Sequence, residues 1–308
     1  MGTTAPSEFL SCGIRIGAEA SGPMRSSRFT ADKAGALHER LHEDGYLLLR
    51  GLLAVEDVLG VRRHLLVELS NQGFLDASRS VDEAVLASGS GFAADKFGER
   101  AAPVHEPAFE RLLRRGALPA FFESFLGGPV RNLDRTILRA RAGDQWSATY
   151  PHCDSVFMGR GTTDLYTAWI PLGEIGYALG GLAVLEGSHR SGSVLERYAS
   201  RDVDEFCANR PAEAEMARTG QRPWDGKFAS DPAAAQAQLG GRWVTAHYQP
   251  GDAVIFPLYT IHASTDNQTD RIRLSLDTRY QRADQPVDQR WVGDQRHRPT
   301  PKLRGRIC

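Results

Sequence analysis

The sequence predicts a mainly β protein with flanking helices, built around a double-sheet sandwich or jelly-roll core. Three observations carry that prediction. After Gly128 the chain breaks into short runs of Val, Ile, Thr, Tyr and Trp separated by turn signals. Helix-length segments do not alternate with these runs, which disfavours a parallel α/β sheet. Before Gly128 the apolar residues recur at helical spacing instead.

Taken in order, residues 1–28 are rich in Gly, Ser, Thr and Pro without sustained periodicity and read as a flexible arm, leaving 29–308 as a single domain. Ordered structure is expected from near Thr30. FTADKAGALHERLHEDG spaces Ala36, Leu37 and Leu41 as a short amphipathic helix, and a Gly-ended turn leads to YLLLRGLL, an apolar run suited to a buried strand. VEDVLGVRRHLLVELSNQG reads as a second helix, and AFERLLRRGALPAFFESFLGG as a third, interrupted near Gly116 and Pro119. The part from 29 to about 128 is therefore expected to be helical. RNLDRTILRARAGDQ, LYTAWIPLG, GGLAVLEGSH, GRWVTAHYQPGDAVIF and RIRLSLDTRYQ supply the strands of a core from about 129 to 285. Residues 193–241 are polar and lack strand alternation, so they read as a lid-like insertion with some helix, or as a surface excursion.

Composition narrows the function. A chain of 308 residues with 41% hydrophobic content is long enough to bury a sizeable core. Its 37 Lys and Arg against 38 Asp and Glu leave no positive excess for a phosphate backbone or an anionic membrane surface, so nucleic acid and membrane are not expected partners. Cys12, Cys153, Cys207 and Cys308 are scattered, with no CxxC pair, which argues against a disulfide framework and a structural zinc site. A reducing cytoplasm is the expected compartment. MGTTAPSEFLSCGIRIG lacks the charged and apolar regions of a signal peptide, and no run approaches the ~18 apolar residues of a membrane span.

The chemistry concentrates at two places. In YPHCDSV, strand alternation would point His152 and Asp154 the same way and Cys153 the other, as a small buried side chain. The pair alone also fits a hydrogen-bonded His–Asp couple. In TAHYQPGDAVIFPLYTIHASTDNQTDRIRLSLDTRY, His262 follows an apolar strand and Arg273 opens the next one, sharing parity with Ser275 and Asp277. Two imidazoles and one carboxylate, His152, Asp154 and His262, make the ligand set of a non-haem iron(II) site with open positions. A guanidinium on the polar face of a barrel strand calls for a carboxylate, and a bound dicarboxylate satisfies it with two parallel bonds.

These stretches resemble the phytanoyl-CoA dioxygenase-like branch of the iron(II)/2-oxoglutarate-dependent oxygenases. The likeness lies in HCD at 152–154, AWIPLGEIGYALGGLAVLEGSHR at 168–190, PGDAVIFPLYTIHAS at 250–264 and Arg273, and reaches back to HEDGYLLLRGLL, spanning most of residues 30–285. It implies a double-stranded β-helix (jelly roll, cupin-like) with Fe(II) held by His152, Asp154 and His262, and with 2-oxoglutarate and O2 as cosubstrates. By the same resemblance Arg273 holds the distal carboxylate of 2-oxoglutarate, Ser264 lies beside it, and Trp169 lines the cosubstrate wall. One departure is Leu179, where the family often has Asn before the Gly-Gly turn.

Other polar residues carry alternatives. His189 competes as a metal ligand but follows a structural turn, and His247 reads as a hydrogen-bonded wall residue. Arg139 and Arg141 share strand parity and are candidates for cosubstrate or anionic-substrate contact, or are surface arginines. Trp146 and Tyr150 border the metal segment and either flank a substrate or pack. In related halogenases a small residue replaces the carboxylate, so Asp154 argues for hydroxylation over halogenation, with desaturation, cyclisation, epoxidation or epimerisation as variants on the same cofactors. A zinc hydrolase or isomerase and a non-catalytic barrel are the rival classes; the first has no use for Arg273, and the second more often shows a broken triad. The expected substrate is a small molecule in natural-product tailoring, on the abundance of Ala and Arg that suits a high-GC bacterial genome. A primary-metabolism role is the alternative, which a basic pocket with room for a nucleotide would support in its acyl-CoA version.

Overall fold

The computed structural model describes residues 8–30, 34–92, 99–101, 106–143, 148–293 and 304–308. The strands are β1 (Phe9–Ser11), β2 (Ile14–Ile16), β3 (Ser21–Pro23), β4 (Ser26–Ser27), β5 (Leu47–Leu49), β6 (Glu99–Ala101), β7 (Val130–Asn132), β8 (Ile137–Arg141), β9 (Tyr166–Pro171), β10 (Leu182–Leu185), β11 (Glu205–Cys207), β12 (Trp243–Thr245), β13 (Ala253–Pro257), β14 (His262–Ser264), β15 (Arg273–Arg282) and β16 (Arg304–Arg306). The helices are α1 (Ala34–Asp44), α2 (Val55–Asn71), α3 (Pro107–Glu110), α4 (Ala117–Leu126), α5 (Ser155–Met158), α6 (Gly192–Ala199), α7 (Pro211–Arg218) and α8 (Pro232–Leu239).

Two sheets face each other. The major one runs β4, β5, β13, β9, β15, β8, β6, with β7 also on β15, and the minor one runs β14, β10, β12, β3. Neighbours are antiparallel except β3 on β12 and β4 on β5. Strand alternation sorts each strand's residues between two environments. Leu47, Leu138, Ala168, Ile170, Ile255, Leu274, Leu276 and Tyr280 leave the back of the major sheet and pack on α1, α2 and α4. Trp169, Leu182, Val184, Val244, Val254 and Phe256 point between the sheets and close one end of the barrel with an apolar plug.

The expected double-stranded β-helix is therefore present, with α1, α2 and α4 layered on the major sheet. The third predicted helix breaks at Gly116, after a π-helical turn over Arg111–Arg115. Pro119 does not break it, because it falls in the first turn of α4, where its missing N–H is not needed.

Three readings need correction. The stretch 1–28 is not a loose arm from residue 8 onward: β3 and β4 extend the two sheets, while Asp266 accepts from the backbone of Cys12 and Gly13. These strands pair through their backbones and are two or three residues long, too short to show a side-chain period. Residues 1–7 lie outside the described residues. The insertion 193–241 is more than a lid: Leu195, Tyr198, Val203 and Ala235 pack on the outer face of the minor sheet beside Ala183, Leu185, Trp243 and Ala263. Finally, Cys207 and Cys308 form a disulfide with a Cα–Cα distance of 5.6 Å, because β16 pairs in parallel with β11 and brings the two thiols side by side. Among the described residues no helix is long and apolar enough to cross a membrane.

Candidate metal and cosubstrate site

His262 opens β14, and opposite it stands His152: each backbone N–H donates to the other's carbonyl, at 3.1 and 2.9 Å. This isolated bridge brings the two rings to a centroid distance of 4.2 Å. Beyond His152 the chain leaves extended geometry. Asp154 has φ −71° and ψ −18° and caps α5, with its carbonyl accepting from Phe157 and Met158. The carboxylate therefore reaches the histidines through a strand-to-helix turn, not through strand alternation as predicted. Cys153 does face the other way, buried among Ala183, Leu185 and Ile261.

The three side chains are buried, and their donor atoms lie within 4.8 Å of one another. Asp154 Oδ1 is 4.0 Å from His152 Nε2 and 3.9 Å from His262 Nε2. Nδ1 of His152 meets the Tyr150 carbonyl at 2.8 Å, and Nδ1 of His262 meets the Thr260 carbonyl at 3.0 Å. A carbonyl only accepts, so Nδ1 carries the proton in both rings and each Nε2 lone pair faces the carboxylate. Burial, reinforced by His262, pushes His152 down to about 3, and burial also lowers His262. Both imidazoles are thus neutral near pH 7, so their approaches to Asp154 are not ion pairs. Burial works against the Asp154 charge, but the Arg279 guanidinium, with the imidazoles and the Thr167 hydroxyl, holds its carboxyl below the usual range. A charged carboxylate beside two neutral imidazoles with converging lone pairs fits a divalent metal.

A narrow pocket next to the triad is lined by Arg139, Thr149, Trp169, Phe256, Ser264 and Arg273 together with the two histidines. Arg273 is 2% exposed; its Nη1 donates to Ser275 Oγ at 2.7 Å, while its Nε has no partner. Burial first, then Arg141 and Arg139, pushes the guanidinium down to about 9. Arg141 stands directly across from Arg273 in the β8–β15 register. A crowded, buried cation with an unmet donor fits a carboxylate of 2-oxoglutarate. Ser264 Oγ accepts from the Thr149 N–H at 2.7 Å, and Trp169 packs edge-on to Tyr248 with centroids 4.7 Å apart. Arg139 is no surface arginine: its Nε donates to Asp277 Oδ2 at 2.5 Å.

A larger cavity of about 310 Å³ opens on the other side of His152 and Asp154. Ile137, Tyr150, Phe157, Met158 and Trp291 give it apolar surface; Arg135, Arg139, Arg141, Arg222, Lys227 and Arg279 outnumber Asp154 and Asp225 in its lining, although Arg222 is paired with Asp204 and Lys227 with Asp225. Arg222 and Lys227 come from the insertion, so that segment does reach the site. The Lys227 Nζ lies 3.8 Å from the centre of the Tyr150 ring. His189 sits elsewhere, its Nε2 on the His42 carbonyl at 3.1 Å, and His247 meets Glu174 at 2.7 Å. Trp146 lies outside the described residues. Reading the sequence missed Thr167 and Arg279, which bind Asp154 Oδ2 at 2.5 and 3.3 Å. The signal was there: Arg279 continues the parity of Arg273, Ser275 and Asp277.

A jelly roll with a buried His-Asp-His cluster and an arginine pocket beside it defines a non-haem iron(II)/2-oxoglutarate-dependent oxygenase. The profile of the family described as "Phytanoyl-CoA dioxygenase (PhyH)" matches residues 41–275, and the chain belongs to the phytanoyl-CoA dioxygenase family. The 1-deoxypentalenic acid 11-beta-hydroxylase of Streptomyces exfoliatus is 28% identical over 265 residues, covering 82% of each protein. Among solved structures, the epimerase SnoN in complex with Fe3+, alpha ketoglutarate and nogalamycin RO has a TM-score of 0.53 at 20% identity, covering 84% of this chain and 87% of its own. EctD from S. alaskensis with 2-oxoglutarate and 5-hydroxyectoine has a TM-score of 0.55 at 17% identity, covering 94% and 91%. The family match and the intact cluster set aside the zinc hydrolase and the non-catalytic barrel.

Proposed function

We propose that this enzyme hydroxylates an unactivated C–H bond of a small, carboxylate-bearing molecule in natural-product tailoring. The observation that carries the reading is the placement of the His152, Asp154 and His262 donor atoms between two spaces, the Arg273 pocket and the 310 Å³ cavity. In this reading the three residues hold iron(II), and Arg273, with Ser264, Trp169 and Arg139 around it, orients 2-oxoglutarate. When bound, iron and 2-oxoglutarate supply the oxidising power, with O2 consumed and succinate and CO2 released. Neutral imidazoles leave both Nε2 lone pairs available without prior loss of a proton. The apolar plug formed by Trp169, Leu182 and Phe256 excludes water from one side. On the other side Phe157 and Trp291 contact an apolar substrate body, while the excess of arginines over Asp154 and Asp225 in the lining favours an anionic group, even with Arg222 and Lys227 paired to Asp204 and Asp225. The relative's printed substrate, 1-deoxypentalenic acid, is an acid and supports the anionic group. The expected cytoplasmic location is kept as part of this reading, in which the Cys207–Cys308 bond would be reduced in the cell.

The test is an anaerobic titration with iron(II) and 2-oxoglutarate, following the visible charge-transfer band of the chelate. Wild type should develop the band, His262→Ala should abolish it, and Arg273→Ala should weaken it. Under O2, 1-deoxypentalenic acid and its methyl ester should then differ, with the acid giving faster succinate release and a product heavier by one oxygen. Metal-loaded wild type without a band, or an ester that matches the acid, would overturn the corresponding half of the proposal.

A further inference from the structure

Arg279 is one of the largest fully buried side chains, 2% exposed, and it touches the metal cluster from inside the barrel. It stands directly opposite Thr167 in the β15–β9 register, so the two side chains leave the same face as a cross-strand pair. Both donate to one atom: Thr167 Oγ1 lies 2.5 Å, and Arg279 Nη2 3.3 Å, from Asp154 Oδ2. The other carboxylate oxygen, Oδ1, is the one facing both histidine Nε2 atoms. The guanidinium is held on one edge, where Nη1 donates to the Asp277 carbonyl at 3.3 Å, and its centre lies 5.4 Å from that of the Trp291 ring, while its buried Nε has no partner and the side chain also lines the 310 Å³ cavity.

We infer that Arg279, with Thr167, is a positioning pair that keeps Asp154 a one-oxygen ligand. The inference rests on the metal role proposed above for Asp154. A carboxylate offering one oxygen occupies one coordination position, whereas one offering two occupies two and takes a position that a chelating cosubstrate needs. Oδ2, saturated by a charged and a neutral donor, is withheld from the metal. Removing Arg279 frees it. Iron should still load, because deleting a nearby cation does not weaken the attraction between metal and carboxylate. The cosubstrate should suffer instead.

The test compares wild type, Arg279→Met, Arg279→Lys and Thr167→Val by anaerobic iron(II) and 2-oxoglutarate titration, with thermal melts of the metal-loaded proteins. Arg279→Met should bind one iron per chain yet need at least about tenfold more 2-oxoglutarate for the half-maximal band, with the band displaced. Arg279→Lys should recover part of the affinity, and a merely structural role would move the melt without moving the band. Thr167→Val removes the second donor with little change of shape, so it carries the same expectation if Arg279→Met does not fold. Band and 2-oxoglutarate affinity unchanged in folded Arg279→Met, or in Thr167→Val where it stands alone, would overturn the proposal while leaving the metal assignment in place. A wild type that binds iron but never develops the band would overturn the assignment and this proposal with it.

Discussion

At the scale of the residue, Arg273 shows a site built at the expense of stability. Its lowered pKa, about 9 against 12.5, means that the folded state disfavours the charge. The penalty is present in full below about pH 9, where the folded protein carries the charge, and fades as pH rises through the folded and then the unfolded value. At pH 7–8, metal-free Arg273→Met should therefore be as stable as wild type or more so, by about 1–4 kcal/mol. It should also lose the rise in melting temperature that 2-oxoglutarate gives to iron-loaded wild type. A metal-free variant that melts well below wild type would show that Arg273 is held by partners stronger than Ser275. The clustering of His152, Asp154 and His262 and the burial of Arg273 beside them could be anticipated because these polar residues fall within or next to apolar strands. Thr167 was not, because one hydroxyl in LYTAWIPLG looks like any strand threonine until the register sets it beside Arg279. The turn at Asp154 was equally hidden, since HCD is compatible with both extended and helical backbone.

At the scale of the element, the Gly180-Gly181 turn props the strand that carries His262. Gly180 has φ +75°, and a Cβ there would lie 2.6 Å from the Thr265 carbonyl oxygen. Gly181 accepts from the Thr265 N–H at 2.8 Å and donates to its hydroxyl at 2.7 Å, directly after β14. Gly180→Ala should therefore cost about 1–3 kcal/mol through the left-handed backbone alone, and more through the clash. Urea unfolding should show a lowered midpoint together with reduced metal content; a normal midpoint would mean that the turn relaxes freely. Both contacts that dock the turn on Thr265 use the Gly181 backbone, so Leu179 in the place of the family's Asn does not disturb them. α1, α2 and α4 and the long strands β9, β13 and β15 were readable because each repeats its apolar residues over enough positions to reveal a period. SGP and SS, which became β3 and β4, have no such length, and their pairing is set by where the rest of the sheet ends.

At the scale of the whole molecule, the β11–β16 pair and its disulfide tie residues 101 apart in sequence. Under non-reducing conditions Cys308→Ser should lower stability by about 2–4 kcal/mol, seen as a lower urea midpoint that reductant does not change further. Equal midpoints would mean that the bond adds nothing to the closed β11–β16 pair. Two cysteines so far apart gave no spacing signal, which is why sequence reading passed over them. The bridge between His152 and His262 has a consequence for how the chain is made. Its halves are 110 positions apart, so a growing polypeptide holds two of its three metal-binding side chains for roughly 5–20 s before the third is synthesised. The cluster cannot close on a partial chain, and neither can the Arg273 pocket, which comes later still. Iron capture thus reports a chain made at least as far as β14, and a ribosome stalled within the insertion leaves a product unable to assemble the oxidising centre.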